Sequence, residues 1–222
     1  TLSSSSAASD VYKRQGRHFL MRKLAEKKIV LASHNQGKLS EIQVLLQPFG
    51  ISCMSAGELG IDEPEETEST FSGNARIKAH HSSMASGLPA LSDDSGISVD
   101  ALDGAPGVYT ADWAQKKGGR DFNLAMKAVW EKLEKRHAPS PRLAQFNCTL
   151  CLAWPDGHDE VFTGVAPGQV VWPIRGEHGF GFDPMFQPDG YTKTFAEMRP
   201  EEKNPLTHRA DAFAKLVAGC LG

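Results

Sequence analysis

The chain has 222 residues, 40% hydrophobic and 23% charged, which suits one or two globular domains with a substantial core and excludes disorder as the main state. No apolar run approaches the ~18–20 residues of a helical membrane span, so no membrane partner is expected. A net charge of −3 argues against a general nucleic-acid coat, and four cysteines are too few for a disulfide scaffold, which makes the reducing cytoplasm the expected compartment.

Residues 1–20 differ from the rest. Thr1 to Asp10 is Ser/Ala-rich with almost nothing to bury, and no secretory signal pattern is present. Met21 reads as a natural start, so 1–20 is expected to be a non-native, disordered leader and 21–222 a single domain. Ile29–Ala32 is a short apolar run that predicts a buried strand, followed by the polar stretch Ser33-His34-Asn35-Gln36-Gly37-Lys38. Leu39, Ile42, Leu45, Leu46 and Phe49 recur at helical spacing and stop before Gly50. Ile51–Ser55 predicts a second strand, and the acidic loop Asp62–Glu66 follows. Thr70 is placed to cap a helix carrying Phe71, Ala75 and Lys78.

Leu88–Leu91 leads into Ser92-Asp93-Asp94-Ser95-Gly96, where Ser95-Gly96 predicts a tight turn, and strand character resumes over Ile97–Leu102. Phe122, Ala125, Met126, Val129 and Leu133 mark a helix that ends at the prolines of 139–141. Residues 143–154 and 158–171 flank the hairpin-type turn Pro155-Asp156-Gly157, and a final helix carries Ala210, Phe213, Ala214 and Val217. The fold class is therefore mixed α/β with one long hairpin.

Four clusters carry possible chemistry. The Ser33–Lys38 loop at a strand-to-helix junction offers backbone N–H groups and a cation to an anion, although it lacks the leading glycine of a Walker A motif. The pairs Glu65-Glu66 and Asp93-Asp94 supply hard oxygen ligands of the kind Mg²⁺ takes together with phosphate. Asp93 and Asp94 would point to opposite faces of a strand, so one faces the cleft while the other supports it. In Gly179-Phe180-Gly181-Phe182-Asp183-Pro184 the glycines admit a flat ligand on which Phe180 or Phe182 stacks. Thr207 caps the last helix, which places His208 and Arg209 in its first turn against the dipole preference and so hints at an anionic ligand. Each cluster alone also fits a solvated loop or a core element. Cys148 and Cys151 fall on opposite strand faces and complete no zinc site, and Ser95 lacks an acyl-transfer partner.

Taken in order, these clusters, together with Gly104-Ala105-Pro106-Gly107-Val108-Tyr109 and Lys203, resemble the inosine triphosphate pyrophosphatase family over about residues 28–217. The resemblance implies a long mixed sheet with helices on both faces, two lobes enclosing a nucleotide cleft, and a homodimer. It implies Mg²⁺-dependent hydrolysis of non-standard purine nucleoside triphosphates (ITP, dITP, XTP) to monophosphate and pyrophosphate. Alternatives are a pyrimidine triphosphate pyrophosphatase of similar fold, or a nucleotide-binding module without turnover. By position, Ser33, His34, Asn35, Gln36, Gly37 and Lys38 correspond to the triphosphate loop, and Asp94 to the residue that activates water and contacts metal, with Ser95 beside it. Phe180, Gly181, Phe182, Asp183, Lys203, His208 and Arg209 correspond to nucleotide contacts, and Glu65 or Glu66 to a second metal ligand. His34, Phe182 and Ala210 depart from the residues usual there.

The expected chemistry is attack of an Asp94-activated water on the α-phosphorus, with Mg²⁺, Lys38, Lys203 and Lys193 neutralising the triphosphate. A donor from Arg209 or a backbone N–H is expected to read the 6-carbonyl of hypoxanthine and xanthine.

Overall fold

Six strands form the central sheet, in the order β2-β1-β3-β6-β7-β8, in the computed structural model, which describes residues 21–34 and 36–222 and, at Gln36, the backbone alone. The expected leader at 1–20 and the residue Asn35 lie outside the described residues. β1 (Lys28–Leu31) runs parallel to β2 (Ser52–Ser55) and to β3 (Ala90–Val99). β6 (Leu143–Ala153), β7 (Asp159–Val170) and β8 (Phe186–Pro188) continue the sheet antiparallel. A two-stranded hairpin, β4 (Gln115–Lys116) and β5 (Gly119–Arg120), stands apart.

The helices follow the apolar spacing. α1 (Gln36–Leu46) buries Leu39, Ile42 and Leu46, and the chain turns off it through Pro48 and a left-handed Gly50 at φ +64°. α2 (Phe71–Ser86) is capped by Thr70, whose side chain accepts from the Gly73 N–H, and ends at Gly87 at φ +71°. α3 (Phe122–Lys135) is capped by Asp121 and buries Ala125, Met126, Val129 and Leu133. After the short α4 (Pro200–Lys203), α5 (His208–Leu216) starts at Thr207, whose hydroxyl accepts from the Ala210 N–H as the sequence predicts.

The turn expected at Ser95-Gly96 does not form. β3 runs unbroken through it, with Ser95 opposite Cys148 and Gly96 opposite Asn147. Gly96 serves close packing instead: a Cβ there would lie 2.4 Å from the Gly107 carbonyl and 2.5 Å from Thr110 Oγ1. The strand also ends earlier than expected, at Val99, with a single turn of 3₁₀ helix over Asp100–Leu102.

Alternation along β3 and β6 sorts the helices onto two faces. Ser92 Oγ donates to the Ala75 carbonyl at 2.6 Å, and Cys151 and Ala153 pack on Ala75 and Ala79, so α2 covers one face. Cys148, Leu150 and Leu152 pack with Ala212, Phe213 and Leu216 on the other, alongside Leu39 and Ile42 of α1. A second large cluster on that face joins Ile97, Val99 and Phe146 to Met126, Val129 and Phe186. Cys148 and Cys151 thus take opposite faces, as expected. Gly164 in β7 lets α5 rest directly on the sheet, since a Cβ there would lie 2.1 Å from the His208 carbonyl and 2.3 Å from the Ala212 nitrogen. No helix among the described residues is long and apolar enough to cross a membrane.

Candidate active site

A cavity of about 620 Å³ opens where the C-terminal end of β1, the middle of β3 and the N-terminus of α5 meet. It gathers Ser33 and Lys38, the acidic segment around Glu66, Lys78 of α2, the Asp93–Gly96 stretch, Tyr109, Phe180–Asp183, Lys203, and Thr207–Arg209. Among the described residues its lining carries eight carboxylate side chains against five lysine and arginine side chains.

The two aspartates divide as β-strand alternation requires. Asp93 is fully buried and accepts from Lys38 Nζ at 2.6 Å on Oδ1 and from Arg209 Nε at 2.7 Å on Oδ2. Ser95 Oγ also donates to Oδ1, and Cys148 Sγ to Oδ2 at 3.3 Å. Burial alone would raise the Asp93 pKa, but Arg209 and Lys38 more than offset it and hold the carboxyl well below the ordinary range. Arg209 is almost wholly buried in turn, with Nη1 on the Glu41 carboxylate and Nη2 3.4 Å from Ser95 Oγ.

Asp94 faces the other way. Its Oδ1 accepts from Lys78 Nζ at 3.0 Å, while its buried Oδ2 has no hydrogen-bond partner among the described residues. Lys78 Nζ spends its other two donors on Glu66 Oε1 at 2.9 Å and the Asp93 carbonyl at 3.0 Å. Burial first, and then the Glu66 charge, push the Asp94 pKa up, with Lys78 opposing. The acidic segment that brings Glu66 here is laid onto α2: the Glu68 N–H donates to Asn74 Oδ1 at 2.9 Å, and Gly73 makes room for the Glu68 side chain.

A third cluster lies around the Gly179–Pro184 loop. Lys203 Nζ donates to Asp183 Oδ2 at 2.6 Å, and the Phe180 N–H donates to the same oxygen at 2.8 Å. Gly179 is obligatory, at φ +75° with a would-be Cβ 2.0 Å from Asp183 Oδ2. Phe180 is 44% exposed, whereas Phe182 is 1% exposed and packs edge-on to Phe122 in the core. His208 stacks on Phe146 at 4.9 Å, and its buried Nδ1 has no hydrogen-bond partner among the described residues. Burial, reinforced by the Arg209 charge, holds its pKa well below the ordinary value, so the imidazole is neutral.

The structure thus brings together Ser33, Lys38, Asp94, Ser95, Phe180, Gly181, Phe182, Asp183, Lys203, His208 and Arg209 as lining of one cavity. Of the glutamate pair, Glu66 lines it and Glu65 does not. His34 and Gly37 are exposed and outside the lining, and Lys193 pairs with Glu202 away from it at 3.0 Å. Asn35 is outside the described residues, and so is the side chain of Gln36. The supposed conflict with the α5 dipole dissolves, because His208 is uncharged and Arg209 is matched by Asp93 and Glu41. Sequence reasoning placed Lys78 on a helix face without a role, although a lysine in the buried stripe with Phe71 and Ala75 was a readable signal. Glu41, one helical turn from Lys38, was missed entirely.

The chain is similar to known proteins over most of its length. The dITP/XTP pyrophosphatase of Ruegeria pomeroyi is 65% identical over 194 residues, covering 87% of this chain and 95% of that protein. The solved structure of a HAM1 protein from Coxiella burnetii superposes with a TM-score of 0.81 at 38% identity, over 87% of this chain and 98% of that one. The nucleoside-triphosphatase / dITP/XTP pyrophosphatase structure from Mycobacterium abscessus gives 0.70 at 36% identity, over 86% and 98%. The Ham1 family model matches residues 29–219, which takes in every cluster of the cavity, and the chain belongs to the Ham1 family.

Proposed function

We propose that the protein hydrolyses non-standard purine nucleoside triphosphates (ITP, dITP and XTP) to the nucleoside monophosphate and pyrophosphate. The observation that carries this reading is the single cavity in which a polarised, half-partnered carboxylate, Asp94, sits between an anion-type loop and a flat-ligand end. The names of the relatives support it: dITP/XTP pyrophosphatases at 65% and 57% identity.

In this reading Lys38 and the start of α1 receive phosphate oxygens. Lys78 fixes Asp94 through Oδ1, which leaves the unpartnered Oδ2 to orient a water and take its proton as that water attacks the α-phosphorus. The raised pKa makes Asp94 a stronger base than an exposed aspartate. Pyrophosphate departs with the electron pair of the broken phosphoanhydride bond. At the other end, exposed Phe180 offers a ring face to the base, and neutral His208 and Arg209 meet its edge.

Glu66 and Asp94 would hold Mg²⁺. Two carboxylates, with the remaining positions left to water and phosphate, suit that ion, and no group of three or more such ligands exists among the described residues. When bound, it supplies charge neutralisation and polarises phosphate oxygens. The excess of carboxylates in the lining supports a divalent cation accompanying a polyanionic substrate.

The test is pyrophosphate release by the purified full chain from ITP, dITP, XTP, ATP, GTP, dTTP and UTP, with Mg²⁺ or EDTA, scoring orthophosphate separately. Pyrophosphate from ITP, dITP and XTP far above ATP and GTP, abolished by EDTA, is expected. A preference for UTP or dTTP, or release of orthophosphate alone, would overturn the reading.

A further inference from the structure

The geometry points to Asp93 as a positioning residue that yokes the two ends of the cavity, so that an anion taken up by Lys38 tightens the hold on Arg209. The inference rests on the reading of Lys38 as the phosphate end. Asp93 presents no exposed side-chain surface, and its two oxygens are divided between elements far apart in the chain. Oδ1 takes Lys38 Nζ from α1, and Oδ2 takes Arg209 Nε from α5. The remaining donors on this carboxylate, Ser95 Oγ and Cys148 Sγ, are uncharged. Burial, and then Asp93 itself, push the Cys148 thiol pKa well up, so it stays a neutral donor.

A buried carboxylate needs its counter-charge, and loss of one partner throws the load onto the other. When a phosphate oxygen accepts from Lys38 Nζ, less of the ammonium field acts on Oδ1. Among the described residues the only other cation on the Asp93 carboxylate is Arg209, whose guanidinium is a rigid planar fork. The Nε–H to Oδ2 bond therefore tightens, and the two Nη groups are held in place against Glu41 and Ser95. An anion at one end thus orders the arginine at the other. By linkage, an ordered Arg209 favours an anion on Lys38 to the same degree.

The test uses the full chain labelled with nitrogen-15, inorganic pyrophosphate as the probe, and water exchange of the Arg209 Nε–H proton as the readout. In the wild type, pyrophosphate should slow that exchange about fivefold or more, the low end of ordinary site-to-site coupling. In Lys38→Met the proton should already be slow, and pyrophosphate should change nothing. In Asp93→Asn exchange should accelerate, and the ratio of ITP to ATP affinity, measured calorimetrically with Ca²⁺, should fall by about fivefold or more. A merely structural role would weaken both nucleotides alike. Should Asp93→Asn fail to fold, the Lys38→Met comparison decides. An Arg209 proton indifferent to both pyrophosphate and Lys38→Met overturns the yoke, as does equal weakening of ITP and ATP in Asp93→Asn. Slow exchange in Lys38→Met without any pyrophosphate binding to the wild type would refute the phosphate-end reading and leave the yoke standing.

Discussion

Asp93 and Asp94 are neighbours in sequence on one strand, yet their surroundings are opposite. Asp93 faces the α1–α5 side, where two cations and two neutral donors satisfy both oxygens and its pKa is depressed. Asp94 faces α2, where one cation is shared with Glu66, one oxygen is left unpartnered, and its pKa is raised. The first environment suits holding a structure together and the second suits reacting. The difference follows from strand alternation, which assigns the two carboxylates to different helices.

The largest test of that contrast is stability. Asp93→Asn leaves Lys38 and Arg209 facing a neutral amide in a dry setting, and urea unfolding should show a loss of about 3–5 kcal/mol. Asp94→Asn should lower turnover by about 10²–10⁴-fold in a pyrophosphate-release assay, as expected for a lost general base. Its unfolding free energy should change by less than about 1 kcal/mol, since Lys78 keeps Glu66 and the Asp93 carbonyl. Equal destabilisation by the two substitutions would erase the distinction.

The pH dependences should separate in the same sense. The Asp93 contribution to stability is present above the ordinary aspartate value of 3.8 and is lost only as pH falls through its depressed folded value. The base form of Asp94 is lost as pH falls through a value raised above 3.8. Turnover should therefore decline at higher pH than the fold does, which parallel activity and circular-dichroism titrations will check.

The smallest effect is expected at the turn between β6 and β7, none of whose residues lines the cavity. Gly157 has φ +88° with open space around it, so Gly157→Ala should cost about 1 kcal/mol of backbone strain in thermal unfolding. Pyrophosphate release should be unchanged.

Much of this was legible in the residues. Apolar spacing located the longer helices, and Thr70, Thr207 and Gly50 marked three of their ends because such signals act locally, whereas α3 stops at Lys135, short of the prolines at 139–141. Alternation foretold that Asp93 and Asp94 would part company, without saying which would be sealed in. That depended on α5, more than a hundred residues away, delivering Arg209. The false turn at Ser95-Gly96 has a similar origin: Gly96 is required by the approach of the Gly107 carbonyl, a contact that no local pattern encodes. Phe180 and Phe182 looked equivalent, and only tertiary packing separates a surface ring from a core one.

Gly164 has a consequence for how this site can change over evolutionary time. Because α5 sits backbone to backbone on β7 there, with no side chain between to be enlarged or trimmed, the helix has no cushion on which to slide. If the base is read at 208 and 209 as proposed, lineages that acquire a different base preference do so by exchanging the groups displayed there, or those opposite them, while the pedestal stays in place. On that reading, specificity drifts by changing the letters at a fixed reading head.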